Sequence, residues 1–92
     1  MNKHYFTGYI TNRQPKKVYT KSSPFYQQLN YKLTVKSGAE SHQLLVYTNL
    51  ITPAICQTIT TGNYLEKRYL FTVKKSKWSW ILLDWQEIPS LT

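Results

Sequence analysis

Apolar and polar residues alternate along most of the chain, and this period of two predicts β-strands rather than helices. Five segments show the alternation: residues 4–12, 25–36, 43–48, 64–74 and 78–87. The segment 25–36 is the clearest, with Leu33 and Val35 on one face and Lys32 and Lys36 on the other. At about 3.3 Å per residue it would span roughly 40 Å, which favours a strand that curves in a small barrel.

One segment departs from the period of two and predicts a short helix. Thr52 is a favourable N-cap, and Pro53 suits the first helical position because an N–H there has no intrahelical partner. Ile55 and Ile59 lie on one helical stripe, and Gly62 is a typical helix terminator. We therefore expect a helix of about two turns between the third and fourth strands.

The order of elements is typical of the OB-fold, a five-stranded, partly open barrel. An SH3-like barrel is the alternative with the same number of strands, but it typically lacks a helix at this position. Gly8 inside the first strand predicts a bulge or tight bend, and residues 13–17 are predicted to form a basic loop. We predict an all-β fold, a five-stranded OB-fold barrel with one short helix between strands three and four, forming a single domain over residues 1–92.

Length and composition narrow the class of protein. The chain has 92 residues, which fits one core, and 15% aromatic residues, which argues against disorder. Cys56 is the single cysteine, which excludes an internal disulfide and a Cys-based zinc site and favours a reducing compartment: cytoplasm or an organelle interior, a plastid included. The chain has no apolar run of membrane-spanning length and no apolar leader, so we expect neither a membrane span nor a secretory signal.

The charge is strongly positive and unevenly placed. Lys and Arg number 12 against 4 acids, a formal net charge of +8. Residues 1–39 form a basic block without an acid, and residues 67–77 form a second basic block that contains Lys74, Lys75 and Lys77. Two such blocks with aromatic residues between them favour a polyanionic partner. The alternative is a surface whose charge only prevents aggregation.

Short motifs in this order resemble those of bacterial single-stranded DNA-binding proteins. Residues 5–10, which contain Gly8, are followed by a basic segment with Pro15, as in the opening strand and loop of that family. Residues 44–47 and 62–65 resemble its third strand and the entry to its fourth. The resemblance covers nearly the whole chain and includes the short primosomal replication protein N and plastid relatives. It implies an OB-fold core that binds single-stranded DNA and assembles as a dimer or tetramer.

Two departures from the family bear on function. Thr61 occupies the position of the usual lysine before the glycine. The acidic tail tip with which full-length members recruit partner enzymes does not follow Thr92. The resemblance therefore implies a DNA-binding core without that recruitment role.

Cations and aromatic rings together hold single-stranded nucleic acid, because Lys and Arg neutralise phosphates and each stacked base contributes about 1–3 kcal/mol. The usual binding surface of an OB-fold is the face of strands two and three with the loops after strands one and four. The predicted interface therefore consists of aromatic and basic residues at those places: Tyr26, Lys32, Lys36, Tyr47, Lys74, Lys75, Lys77, Trp78 and Trp80.

The tryptophans admit two interpretations. If Ile81 and Leu83 fill the barrel, Trp78 and Trp80 face outward, where they would contact either nucleic acid or a second subunit. Trp85 is predicted to be a core or subunit contact.

Other candidates also have a structural alternative. Tyr26 either stacks on a base or packs under a loop, and the 74–77 turn is either a binding loop or a solvated hairpin tip. Tyr5 and Tyr9 share the outer face of the first strand, where sheet packing or a dimer contact is favoured over binding.

The sequence offers no catalytic constellation. Asp84 and Glu87 are three apart on a predicted strand and so face opposite sides, which is unsuitable for paired acid–base work. His4 and His42 are isolated and predict no metal site, and Glu66 is expected to form a cross-strand pair on strand four. We therefore expect no enzyme activity and no cofactor.

The predicted function is binding of single-stranded DNA without sequence preference, in replication, recombination or repair, by a homo-oligomer. An RNA-binding OB module is the leading alternative, since stacking and phosphate contacts serve both nucleic acids. A protein-interaction module for an acidic partner is the second alternative.

Overall fold

The computed structural model describes residues 3–17, 29–76 and 79–89, which contain five strands and one helix. The elements are β1 (Lys3–Lys17), β2 (Leu29–Ser37), β3 (Glu40–Tyr47), α1 (Pro53–Thr61), β4 (Arg68–Lys75) and β5 (Trp80–Ile88). The strands close into a barrel in the order β1-β2-β3-β5-β4, in which β3 and β5 are parallel and all other neighbours antiparallel. This confirms the predicted OB-like barrel with its helix between β3 and β4.

β1 closes the barrel by pairing with two different strands. Residues 3–8 pair with β4, and residues 9–17 pair with β2. Gly8 lies at the change of partner, where a Cβ atom would overlap the carbonyl oxygen of Lys36. Glycine is therefore required so that the two backbones can approach, and a register shift after Ile10 adds further curvature. The irregularity predicted at Gly8 lies instead between Ile10 and Asn12, and Gly8 marks the change of partner strand.

The basic segment 13–17 is part of β1 and not the predicted loop. Its residues pair with β2, from Arg13 opposite Leu33 to Lys17 opposite Leu29. Pro15 is tolerated because β1 pairs with β4 only as far as Gly8, which leaves one edge of the strand unpaired within the described strands. The local composition resembles a loop, but the pairing with β2 outweighs it.

The predicted fourth strand also begins later than expected. Residues 62–66 form turns, and β4 starts at Arg68. Glu66 has a positive φ of 63°, and its side chain is exposed in the turn. The cross-strand pair expected for Glu66 is therefore wrong, because this residue does not belong to the sheet.

The inner faces of the strands supply the barrel core. On β2, Leu33 and Val35 are fully buried, as the alternation predicted, and positions 25–28 of that predicted strand lie outside the described residues. On β3, whose facing the sequence left ambiguous, Leu44 and Val46 are fully buried. The buried apolar residues are Ile10, Tyr31, Leu33, Val35, Leu44, Val46, Ile55, Ile59, Tyr64, Tyr69, Phe71, Val73 and Leu82.

β5 corrects the facing of Trp80, which was predicted to belong to the interface. Leu82 is fully buried and Trp80 packs against the core, whereas Ile81 and Leu83 are half-buried, so the condition under which Trp80 would face outward is not met. The register between β4 and β5 shifts at this point, with Leu82 opposite Val73 and Asp84 opposite Thr72. On a regular strand, residues five positions apart face opposite sides. Because β5 contains an extra residue at the register shift, Trp80 and Trp85 both lie on the core side.

Trp85 is a core contact, in agreement with one of its two predicted roles. Its ring stacks on that of Tyr69, with centroids 4.4 Å apart and planes 25° apart. The rings of Phe71 and Trp85 meet edge-on, with centroids 6.1 Å apart. The rings of Tyr69, Phe71 and Trp85 therefore pack together.

α1 begins and ends as predicted. The Thr52 Oγ1 accepts a hydrogen bond of 3.2 Å from the Ile55 N–H, and Pro53 occupies the first position. Gly62 ends the helix in the left-handed conformation, with φ of 79°, and its N–H donates to the Thr58 carbonyl at 3.0 Å. Within the described ranges, no helix is long and apolar enough to cross a membrane.

Candidate nucleic-acid interface

The outer face of β2 and β3 carries two of the predicted lysines. Lys32 lies opposite Leu45, and Lys36 lies opposite Ser41, with the pair Thr34–Gln43 between them. Alternation places these residues on the face opposite to the buried Leu33 and Leu44. From residue 41 to residue 47, β3 contains no carboxylate.

The same outer face continues onto the neighbouring strands. Leu45 is the partner of Ile81 on β5, Ile81 pairs with Lys74 on β4, and Lys74 lies opposite Lys3 on β1. We call these residues the outer row: Lys3, Lys74, Ile81, Leu45 and Lys32. Strands lie about 4.8 Å apart, so Lys32 and Lys74 are separated by roughly 14 Å along the sheet. The fold thus places lysines from both basic blocks of the sequence in one row around the outside of the barrel, with two apolar residues between them.

The lysines of this face lack acidic partners. In the part of the chain that the structure describes, the ion pairs are Lys67–Glu87 at 3.7 Å and His42–Glu40 at 3.5 Å. Neither pair includes Lys32, Lys36 or Lys74. Lys3 and Lys74 lie directly opposite one another, an arrangement of like charges that destabilises a sheet. A bound polyanion would relieve this repulsion.

Hydrogen bonds join Ser76 and Ser79, which lie between β4 and β5 next to the outer row. The Ser76 N–H donates to the Ser79 carbonyl at 2.7 Å, and the Ser79 N–H donates to the Ser76 Oγ at 3.1 Å. Lys74 and Lys75 are exposed at the end of β4. The predicted site residues Lys77 and Trp78 lie outside the described residues, as does Tyr26.

Trp80 does not lie on the outer face with Lys32. Its half-buried ring meets His4 edge-on, with centroids 4.9 Å apart and planes 87° apart, and the Lys75 Nζ lies 5.9 Å from the ring centroid. Its Cα partner on β3 is Leu44, whose side chain is fully buried. The structure therefore separates Trp80 from the outer row, which the sequence had expected to share its face.

Two tyrosines lie beside the lysines of the outer face. Tyr47 is half-buried and follows the outer alternation of Leu45 at the end of β3. Tyr9, for which sheet packing or a dimer contact was favoured over binding, is 37% exposed and lies directly opposite Lys36. Tyr9 lies opposite Lys36 because of the register between β1 and β2 after Gly8, and no local sequence pattern predicts that register.

The polar and reactive groups elsewhere are scattered. Within residues 3–17, 29–76 and 79–89, no three His, Cys, Asp or Glu side chains group as a metal site would require. The ring centroids of His42 and Phe6 lie 4.8 Å apart, and the His42 Nε2 lies 3.5 Å from the Glu40 Oε2. Cys56 is half-buried on α1. The outer face is thus the feature of the described residues on which a functional argument can rest.

Comparisons of the chain with protein-family models, with curated proteins and with solved structures find no match.

Proposed function

We propose that this protein binds single-stranded DNA without sequence preference, across the outer face of β2 and β3 and along the outer row. The observation that carries the proposal is the outer row itself: Lys32 and Lys74, which come from separate basic blocks, lie in one row of paired residues on the outside of an OB-like barrel. The face of β2 and β3, where Lys32 lies, is the usual binding surface of the fold.

Lysines and apolar residues would have different roles along the outer row: the lysines bind phosphates, and the apolar side chains contact bases. An ammonium group binds a phosphate oxygen as a point charge and reads no base, so Lys32, Lys74 and Lys3 would hold the backbone. Leu45 and Ile81, between the lysines, offer apolar contact to bases. Contacts of this kind accept every base, which is why the proposed binding does not depend on sequence.

Aromatic stacking would come from the rings nearest to the lysines. Tyr9 lies opposite Lys36, and Tyr47 lies two positions beyond Leu45 on β3. Tyr26, Lys77 and Trp78 belong to the proposal on the basis of sequence. The resemblance to single-stranded DNA-binding proteins supports a role in replication, recombination or repair and a homo-oligomer, dimer or tetramer, as parts of the same proposal.

RNA is the second candidate ligand. Thr34 and Gln43 face each other between Lys32 and Lys36, and both side chains can donate and accept hydrogen bonds. Such groups can contact a ribose 2′-hydroxyl, which DNA lacks. This pair favours RNA as the alternative, and the two candidates are separated by direct comparison.

Titrations with matched, fluorescently labelled oligo-dT and oligo-rU test the proposal. The affinity should fall with salt at a log–log slope of about −0.7 per phosphate contact. The variants Lys32→Gln and Lys74→Gln should each weaken binding and reduce the magnitude of the slope by about 0.7. Lys67→Gln is the matched control, because Lys67 is exposed and pairs with Glu87 outside the outer row.

Three results would contradict the proposal. Tighter binding of oligo-rU would assign the face to RNA. Binding of an acidic polypeptide such as poly-glutamate without binding of either oligonucleotide would assign it to a protein partner. An equal loss in Lys67→Gln and Lys32→Gln would show that net charge matters and that the outer row does not.

A further inference from the structure

The guanidinium group of the half-buried Arg13 is bound to the end of the helix. Its Nη1 donates to the Ile59 carbonyl at 2.6 Å and to the Thr60 carbonyl at 2.9 Å. The last carbonyls of a helix lack intrahelical donors and carry partial negative charge. α1 has no basic residue in its own last turn, so β1 supplies the cation from 46 positions away.

Tyr31 completes this attachment from the neighbouring strand. Its hydroxyl lies 3.3 Å from the Thr60 Oγ1, and the Arg13 Cζ lies 5.8 Å from its ring centroid. Tyr31 is 6% exposed, whereas Thr60 is exposed, so the contact lies at the edge of the barrel core. Arg13 on β1 and Tyr31 on β2 are therefore both tied to the C-terminal end of α1.

The attachment lies next to a part of β1 that has only one neighbouring strand among the described residues. Beyond Arg13, residues 14–17 of β1 pair with residues 29–32 of β2, and we call this ladder the β1–β2 arm. β3 pairs with residues 30–37 of β2, whereas residues 14–17 of β1 pair only with β2 among the described strands. This part of β1 is therefore an edge strand, and an anchor on its inner face compensates for the missing second neighbour.

The arm also carries a lysine of the proposed interface. Lys32 pairs with Gln14, next to Arg13 along β1, and alternation places Lys32 on the outer face and Arg13 on the inner face. The position of Lys32 therefore depends on a ladder that Arg13 attaches to the helix.

We infer that Arg13 is a positioning residue, which holds the β1–β2 arm against α1 so that the outer face is preorganised for a single-stranded nucleic acid. Its charge is engaged by helix carbonyls and does not contact phosphate, although Arg13 belongs to the basic block of the sequence. This inference rests on the proposed function. Preorganisation raises affinity because the ordering is complete before the ligand binds.

Arg13→Met and Arg13→Lys test the inference in the full-length chain, with Lys36→Met as the matched control. Oligo-dT binding is measured over a series of salt concentrations, well below the melting temperature of each variant. Arg13→Met should weaken binding about tenfold with an unchanged salt slope. Arg13→Lys keeps the charge but loses the two-carbonyl geometry, so it should also bind more weakly, again with an unchanged slope. Lys36→Met should reduce the magnitude of the slope by about 0.7.

Two binding results would overturn the inference. A slope that falls in Arg13→Met as it does in Lys36→Met would make Arg13 a phosphate ligand. A lower melting temperature with unchanged affinity would make the attachment purely structural. If Arg13→Met does not fold, Arg13→Lys decides between the same outcomes.

Amide hydrogen exchange separates this inference from the proposed function. Exchange in the β1–β2 arm should accelerate in Arg13→Met relative to exchange in β4 and β5. Equal exchange would overturn the attachment. If wild-type protein binds neither oligo-dT nor oligo-rU, the proposed function fails and the positioning role fails with it, whatever the exchange shows.

Discussion

The two faces of β2 differ in both burial and charge. Leu33 and Val35 have no exposed surface, whereas Lys32 and Lys36, one position away, point outward without an acidic partner among the described residues. The inner face is set by volume and packing, and the outer face by charge. Because the strand alternates, stability and the proposed binding can be changed separately.

Leu33→Ala should give the largest effect, since it empties a fully buried position of the core. We expect a loss of about 2–5 kcal/mol in the free energy of unfolding, measured by urea denaturation. Thr34→Ala, one residue along on the outer face, should stay within about 0.5 kcal/mol of the wild type. Comparable losses in the two variants would contradict the division between the faces.

Gly8→Ala should rank second, because the added methyl group meets the backbone of β2 at the Lys36 carbonyl. We expect a loss of about 1–3 kcal/mol, since the two strands must move apart. Gly38→Asn provides the comparison: Gly38 has a φ of 61° but open space around its Cβ position, and Asn tolerates that backbone conformation. A smaller loss at Gly8 than at Gly38 would show that the close approach of β1 and β2 is not required.

Tyr69→Phe probes a polar group on the inner face. Burial raises the pKa of the Tyr69 hydroxyl above its ordinary value of 10.0, and the negative charge of Glu87 raises it further. The native state therefore retains this proton when the unfolded chain has lost it. The associated stability is complete below pH 10.0 and is lost as the pH rises through the raised native value.

The measurement is the free energy of unfolding of both proteins between neutral pH and the alkaline range. Tyr69→Phe should lose less stability above pH 10 than the wild type does. Parallel curves for the two proteins would contradict the shifted pKa of Tyr69.

Lys36→Gln should have the smallest effect on folding, because Lys36 is exposed and forms no salt bridge with the described residues. We expect the free energy of unfolding to change by no more than about 0.5 kcal/mol in thermal denaturation. A loss as large as that of Gly8→Ala would mean that the outer face, too, contributes to the fold.

Local patterns predicted the parts of the fold that depend on local physics. Alternation identified the inner side of β2, and the cap residues Thr52 and Gly62 marked both ends of α1. Lys32 and Lys36 were correctly expected on the outer face, because their orientation follows from the buried positions between them.

The errors lie where one strand meets another. Trp80 was expected outside, but the register shift between β4 and β5 places it against the core. Residues 13–17 were expected in a loop, but pairing with β2 makes them a strand. Tyr9 was left out of the candidate interface, because its position opposite Lys36 depends on the register of two strands.

Sequence by itself determined the all-β class, the position of the helix and the excess of positive charge, since period, caps and composition act through neighbouring residues. Tertiary structure alone decided that Lys32 and Lys74 belong to one row of paired residues and that Arg13 is bound to helix carbonyls. Such contacts join residues far apart in the chain, and they depend on the register and closure of the barrel, which no local pattern encodes.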